Sequence, residues 1–157
     1  MQSDGAKSSR TTESPDIFYR MEPEAGRDGT KSFFFNVDEL PWPQSRLADA
    51  IKSADEETQE HLAGIFGKTV RSKKLLTSPT LSVTWVTVEA GDHVKPHRHG
   101  TNQLTFVLRG SLQYGNKVLE AGMGRFGPNK PYSWKSGPEG ADFLEIHDGQ
   151  PEIYLAN

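Results

Sequence analysis

Apolar and polar residues follow two rhythms along this chain, and the change comes near Thr69. From there on, runs of about five to eight residues are separated by Gly and Pro turns, which predicts the strands of a sandwich or barrel. Leu81, Val83 and Trp85 alternate with Ser82, Thr84 and Val86, while Leu104, Phe106 and Leu108 alternate with Gln103, Thr105 and Val107. A period of two sends the members of each pair of sets to opposite faces of the sheet. Turn signals fall at Gly91-Asp92, Gly110-Ser111, Tyr114-Gly115-Asn116, Ala121-Gly122, Gly137-Pro138 and Asp148-Gly149. No internal repeat is visible, so a single barrel over 69–157 is the economical reading.

The upstream part reads differently. Ser45 to Gly67 carries the helical signal: Leu47, Ala50 and Ile51 recur at helical spacing, and Ser53 with Glu56 makes a capping box ahead of Leu62, Ile65 and Phe66. His61 lies off that apolar stripe and reads as a surface residue. Asp16 to Met21 and Lys31 to Val37 hold short aromatic and aliphatic runs on either side of the turn signal Gly26-Arg27-Asp28-Gly29, as outer strands or an extended arm would. The three consecutive aromatics Phe33-Phe34-Phe35 cannot all face one core, so part of the run must meet another surface, and a homodimer is expected. Residues 1–15 are polar and aperiodic and are expected to be a disordered tail, leaving 16–68 as an N-terminal arm with a short helical segment.

Composition narrows the chemistry. The 157 residues contain no cysteine, which excludes disulfides, thiolate catalysis and sulfur-ligated zinc. No run approaches the ~18 apolar residues of a bilayer span, and the polar start does not read as a secretory signal. A soluble cytoplasmic protein is expected, without a membrane partner. Net charge is −3, yet Gly91 to Ser136 carries seven Lys or Arg against Asp92 and Glu120. The acidic remainder and the lack of a basic stripe argue against nucleic acid, while the local excess favours a small anionic ligand. P-loop, GxGxxG and GxSxG motifs are all absent.

His97-Arg98-His99 is the most informative triplet. Residues two apart on a strand project from one face, so both imidazoles can reach one metal ion. The stretch from Gly91 to Gly110 resembles the first signature of the cupin superfamily: Gly, five residues, His-x-His, three or four residues, Glu, six residues, Gly. Every spacing is met, with Gln103 at the Glu position. The second signature, Gly, five residues, Pro-x-Gly, two residues, His, is matched only by Gly122 and Pro128, since Lys130 replaces the Gly and Ser133 or Tyr132 stands where the His would be.

The resemblance, which covers about Leu75 to Asn157, implies an all-β, single-domain jelly-roll barrel with a metal in its lumen. It carries the family's metal ligands over to His97 and His99, and to Gln103 as a neutral oxygen donor in place of a charged one. One divalent transition metal, Fe, Mn, Zn or Ni, is the implied cofactor. The fourth ligand is open between Tyr132, His93, His147 and water. His93 shares strand parity with His97 and His99 and would face the lumen on an unbroken strand. Tyr132 and His93 are the candidate proton carriers.

Together these features suggest a metal-dependent enzyme acting on a small substrate bearing a carboxylate or enolate. Dioxygenase chemistry is the first expectation and a Lewis-acid lyase or isomerase the second. The reading from another class is a non-catalytic cupin that binds a small ligand.

Overall fold

The structure, a computed structural model, describes residues 19–20, 26–42, 56, 60 and 68–155. Among these, nine strands form one antiparallel sheet: β1 (Tyr19–Arg20), β2 (Arg71–Thr77), β3 (Ser82–Val88), β4 (His93–His99), β5 (Gln103–Tyr114), β6 (Lys117–Glu120), β7 (Gly124–Gly127), β8 (Tyr132–His147) and β9 (Glu152–Leu155). The order β1-β9-β4-β8-β3-β2 runs along one path, and β5 joins β8 to β6 and β7. The sheet curls round a lumen as an open jelly-roll barrel. No helix among the described residues is long and apolar enough to cross a membrane. Glu56 and Glu60 are helical. The rest of the segment from Ser45 to Gly67, His61 and the tail over 1–15 lie outside the described residues.

β8 is the spine of the barrel. Its first residues pair with β4 and the end of β5, and its last seven lie between β3 and β5. The bend between these halves rests on two glycines with positive φ, Gly110 at 69° and Gly140 at 70°. A Cβ on Gly110 would strike the Gly140 carbonyl, and one on Gly140 would strike that of Val88, so only glycine allows the three strands to cross this closely.

The inward face is set by register. Val86, Val88, Val94, Val107, Leu112, Leu119, Trp134, Ala141 and Phe143 close one end of the lumen as an apolar core, with the Trp134 and Phe143 rings edge to face at 5.5 Å. Towards the other end the inward positions turn polar. Of the two alternating sets on β3 and β5, Ser82, Thr84, Gln103 and Thr105 are buried, whereas Leu81, Leu104 and Phe106 are exposed on the outside.

Residues 26–42 lie along the edge strand β2. Asp28 accepts from the Thr30 amide and hydroxyl, closing the turn expected there. The Arg27 carbonyl accepts from the Thr77 amide, and the Val37 carbonyl accepts at 2.7 Å from Nζ of buried Lys73. Trp42 presents its ring to Arg71 and Lys73. Lys31 to Val37 form an extended arm and no strand; the one described arm strand is Tyr19–Arg20, which pairs with β9. Phe33 turns back onto Phe35, with ring centroids 6.0 Å apart, and leaves Phe34 fully exposed.

Candidate functional site

His97 and His99 enter the polar end of the lumen from β4, both buried, while Arg98 between them lies outside over the Tyr154 ring. Their centroids are 5.2 Å apart. His97 Nδ1–H donates to the Lys95 carbonyl at 2.9 Å, which fixes its tautomer and leaves Nε2 as the lone-pair nitrogen. Burial lowers the pKa of His97, and burial with the neighbouring His147 and His97 lowers that of His99 further. Both rings are therefore neutral, the form that ligates a metal.

His93 does not join them. Val94 pairs with Trp134 and His97 with Tyr132, so β4 spends two residues, Lys95 and Pro96, opposite one on β8. This bulge reverses the parity, His93 ends exposed beside Lys135, and the expectation of a lumenal His93 is corrected. Pro96, which has no amide proton for the ladder, accounts for a break at this point.

Gln103 is buried on β5 opposite His147, its carboxamide lies close to Tyr132 and Glu145, and among the described residues neither of its polar atoms makes a hydrogen bond of good geometry. Tyr132 rather than Ser133 has the inward parity. Its ring centroid is 4.6 Å from that of His97, and its hydroxyl shares a 3.1 Å hydrogen bond with His99 Nε2. Burial, with Glu145 and Tyr114 nearby, pushes this phenol well above its ordinary range, which keeps it a hydroxyl. His147 stands edge-on to His99 at 4.7 Å, its Nδ1 shares a hydrogen bond with Thr101 Oγ1, and burial lowers its pKa to about 4.

Glu145 escaped the sequence reading. It faces inward between Thr84 and Thr105, and burial pushes its carboxyl up to about 7, against a smaller opposing effect of the Gln103 carboxamide. Its signal was available: Glu145 is two residues from His147 and so shares its face.

The donor set fits a divalent transition metal. Two neutral imidazoles and a buried carboxamide whose atoms make no hydrogen bond of good geometry are what a nitrogen- and oxygen-ligated site needs, and imidazole suits Zn, Fe and Ni. Among the described residues no three His, Asp or Glu side chains converge as a ready-made metal site, which leaves His97, His99 and Gln103 as the candidate set, with His147 edge-on to His99 and Glu145 near Gln103.

The architecture recurs in solved structures. The polyketide cyclase RemF from Streptomyces resistomycificus matches with a TM-score of 0.59 at 16% identity, over 81% of this chain and 87% of that one. An RmlC-like cupin from Ralstonia eutropha matches with a TM-score of 0.57 at 17% identity, over 81% and 74%. The fold is that of the cupins. KdgF from a Halomonas species, with a TM-score of 0.52 at 18% identity over 76% and 94%, shares it. No protein-family model and no curated protein matches the sequence. The cupin lumen thus holds the imidazole pair at the positions where the first motif resembles the family, and Tyr132 where the second motif departs from it.

Proposed function

We propose that this cupin is a metal-dependent enzyme that moves a proton on a small, carboxylate- or enolate-bearing organic molecule. One observation carries the reading: at the polar end of the lumen the Tyr132 hydroxyl lies against two neutral imidazoles, and the Glu145 carboxyl stands near that hydroxyl and Gln103. Groups poised to hold and pass protons favour the lyase or isomerase chemistry over the dioxygenase chemistry, which needs open metal positions more than acids and bases. RemF, which shares the fold, is a polyketide cyclase.

His97, His99 and the Gln103 oxygen would hold the metal. When bound there, a divalent ion supplies Lewis acidity towards a carbonyl or carboxylate oxygen, acidifying the neighbouring C–H. A neutral Gln103 leaves more of the ion's charge for that purpose than a Glu would. Glu145 changes protonation near neutrality and so can take a proton from carbon and return it. Tyr132, kept protonated, donates its hydrogen bond to His99 Nε2 in the free site and would turn it to a substrate oxygen where that nitrogen holds the metal. The Phe143 and Trp134 end excludes water behind the site.

The test has two readings. Zinc affinity by calorimetry should fall at least 100-fold in His97→Ala and His99→Ala. Deuterium incorporation from solvent into a panel of 2-oxo and 3-oxo acids, followed by NMR, should occur in the zinc-loaded wild type and fall in Tyr132→Phe and Glu145→Gln, which keep their zinc. Oxygen consumption by the iron-loaded protein with no deuterium exchange would return the assignment to a dioxygenase.

A further inference from the structure

Arg125 is a lumenal cation that the roles above do not use. Arg125 is on β7, and its register partner on β5 is Thr105, which in turn pairs with Glu145 on β8. Thr105 is fully buried and Glu145 faces the lumen, so Arg125 belongs to the same inward rung. Its guanidinium carbon lies 4.9 Å from the centroid of the Tyr114 ring and 4.9 Å from that of Tyr132. Two π-faces offset part of the cost of taking an arginine out of water, but they do not satisfy its N–H groups. Among the described residues Nη1 is buried without a partner and Arg125 makes no ion pair.

A second feature is built round this side chain. Gly127, two residues along β7, is buried and faces the same way, and a Cβ on it would run into the guanidinium. The backbone is thus left bare where Arg125 lies across it. A guanidinium that is always charged, is held in one orientation and keeps a free buried N–H is suited to a carboxylate, which accepts two parallel hydrogen bonds from such a fork.

We infer that Arg125, seated over the Tyr114 and Tyr132 rings, is the anion anchor of the lumen and receives a carboxylate of the substrate on its free N–H groups. The inference rests on the small anionic substrate proposed above and names the residue that selects it. An anion held there has its neighbouring atoms beside Tyr132, whose hydroxyl is shared with His99. Arg125 is thus a specificity-determining residue, and it needs no metal to bind its partner.

Malonate and its uncharged analogue malonamide are the probes, titrated by calorimetry into the full chain with and without one equivalent of zinc. Malonate should bind in both states and malonamide in neither. Arg125→Met should weaken malonate at least tenfold in both states, and Arg125→Lys by a smaller factor, since it keeps the charge and loses the fork. Gly127→Ala, which displaces the guanidinium while leaving its charge, should weaken malonate like Arg125→Met and serves if that variant fails to fold. Malonate affinity within twofold of wild type in these variants, or equal binding of malonamide, overturns the anchor. Malonate bound only with zinc and indifferent to Arg125→Met also overturns it, because the anion then sits on the metal, as the metal-enzyme reading allows. Malonate bound through Arg125 by a chain that holds no zinc would keep the anchor and remove the metal-enzyme reading instead.

Discussion

Val107, Phe143 and Val86 form one inward rung across β5, β8 and β3; two residues along the same strands, Thr105, Glu145 and Thr84 form the next. The backbone pairing is equivalent, yet one rung is a close-packed hydrocarbon layer and the other holds a carboxyl between two hydroxyls. Across the following rung, Gln103, His147 and Ser82, the polar character continues. Hydrophobic burial at the first rung contributes stability, roughly 1.5–3 kcal/mol for each large side chain. The polar rungs bury groups whose desolvation costs free energy unless each finds a partner. Among the described residues the Ser82 and Thr77 hydroxyls find none, and the Gln103 carboxamide makes no hydrogen bond of good geometry. The same strands therefore fold the barrel at one end and, at the other, hold polar atoms ready for something outside the chain.

The largest expected effect belongs to the apolar end. Phe143→Ala removes a fully buried ring packed edge to face on Trp134 and should cost about 3–5 kcal/mol in denaturant unfolding. Zinc affinity of the fraction that remains folded should be unchanged within a factor of two. A tenfold loss of zinc affinity would show the two ends to be coupled and would break the comparison.

Glu145→Gln should act in the opposite direction. The folded carboxyl has its pKa raised to about 7, above the ordinary value of an unfolded chain, so the folded state holds a proton that the unfolded state has released. The stability this contributes is present in full below the unfolded pKa and is lost as pH rises through about 7. The full swing is on the order of 3 kcal/mol. The variant should therefore melt several degrees above wild type at pH 8, with the gap closing towards pH 5. The lowered pKa values of His97, His99 and His147 make both proteins lose stability below the ordinary imidazole range, so the difference between them is the quantity to measure. A constant gap across that range would show that Glu145 ionises normally.

These two variants also separate what the sequence made legible from what it did not. The strands, the barrel and the His97/His99 pair followed from period-two alternation and turn residues, because those features are local. Which alternating set faces inward did not follow. Hydrophobicity alone would bury Leu104 and Phe106, but they are on the outside and Gln103 and Thr105 within. His93 was misplaced because one bulged residue reverses parity, and a bulge is a property of two paired strands. Glu145 and Arg125 take their meaning from Thr105 between them, a juxtaposition made by the pairing of three different strands.

A smaller effect is expected at Gln103. Gln103→Glu should tighten zinc about tenfold if the side chain ligates, by adding a charged oxygen. In the zinc-free protein it should lower stability at pH 8, since a second carboxyl then lies beside Glu145. An unchanged zinc constant would remove Gln103 from the ligand set and leave it a contact for Tyr132 and Glu145.

The smallest effect tests the orphaned hydroxyls. Thr77 and Ser82 are register partners at the β2 edge of the polar end; both are fully buried, and neither hydroxyl has a partner. Val has nearly the shape of Thr and no hydroxyl to desolvate, so Thr77→Val should leave stability unchanged or raise it by up to about 1 kcal/mol. The sign is informative because a hydroxyl bonded within the barrel would give a loss of similar size. If Thr77→Val is destabilising by about 1 kcal/mol or more, the edge of the polar end is satisfied in solution. Among the described lumen residues the unpartnered atoms away from that edge are those of Gln103, Arg125 Nη1 and His99 Nδ1.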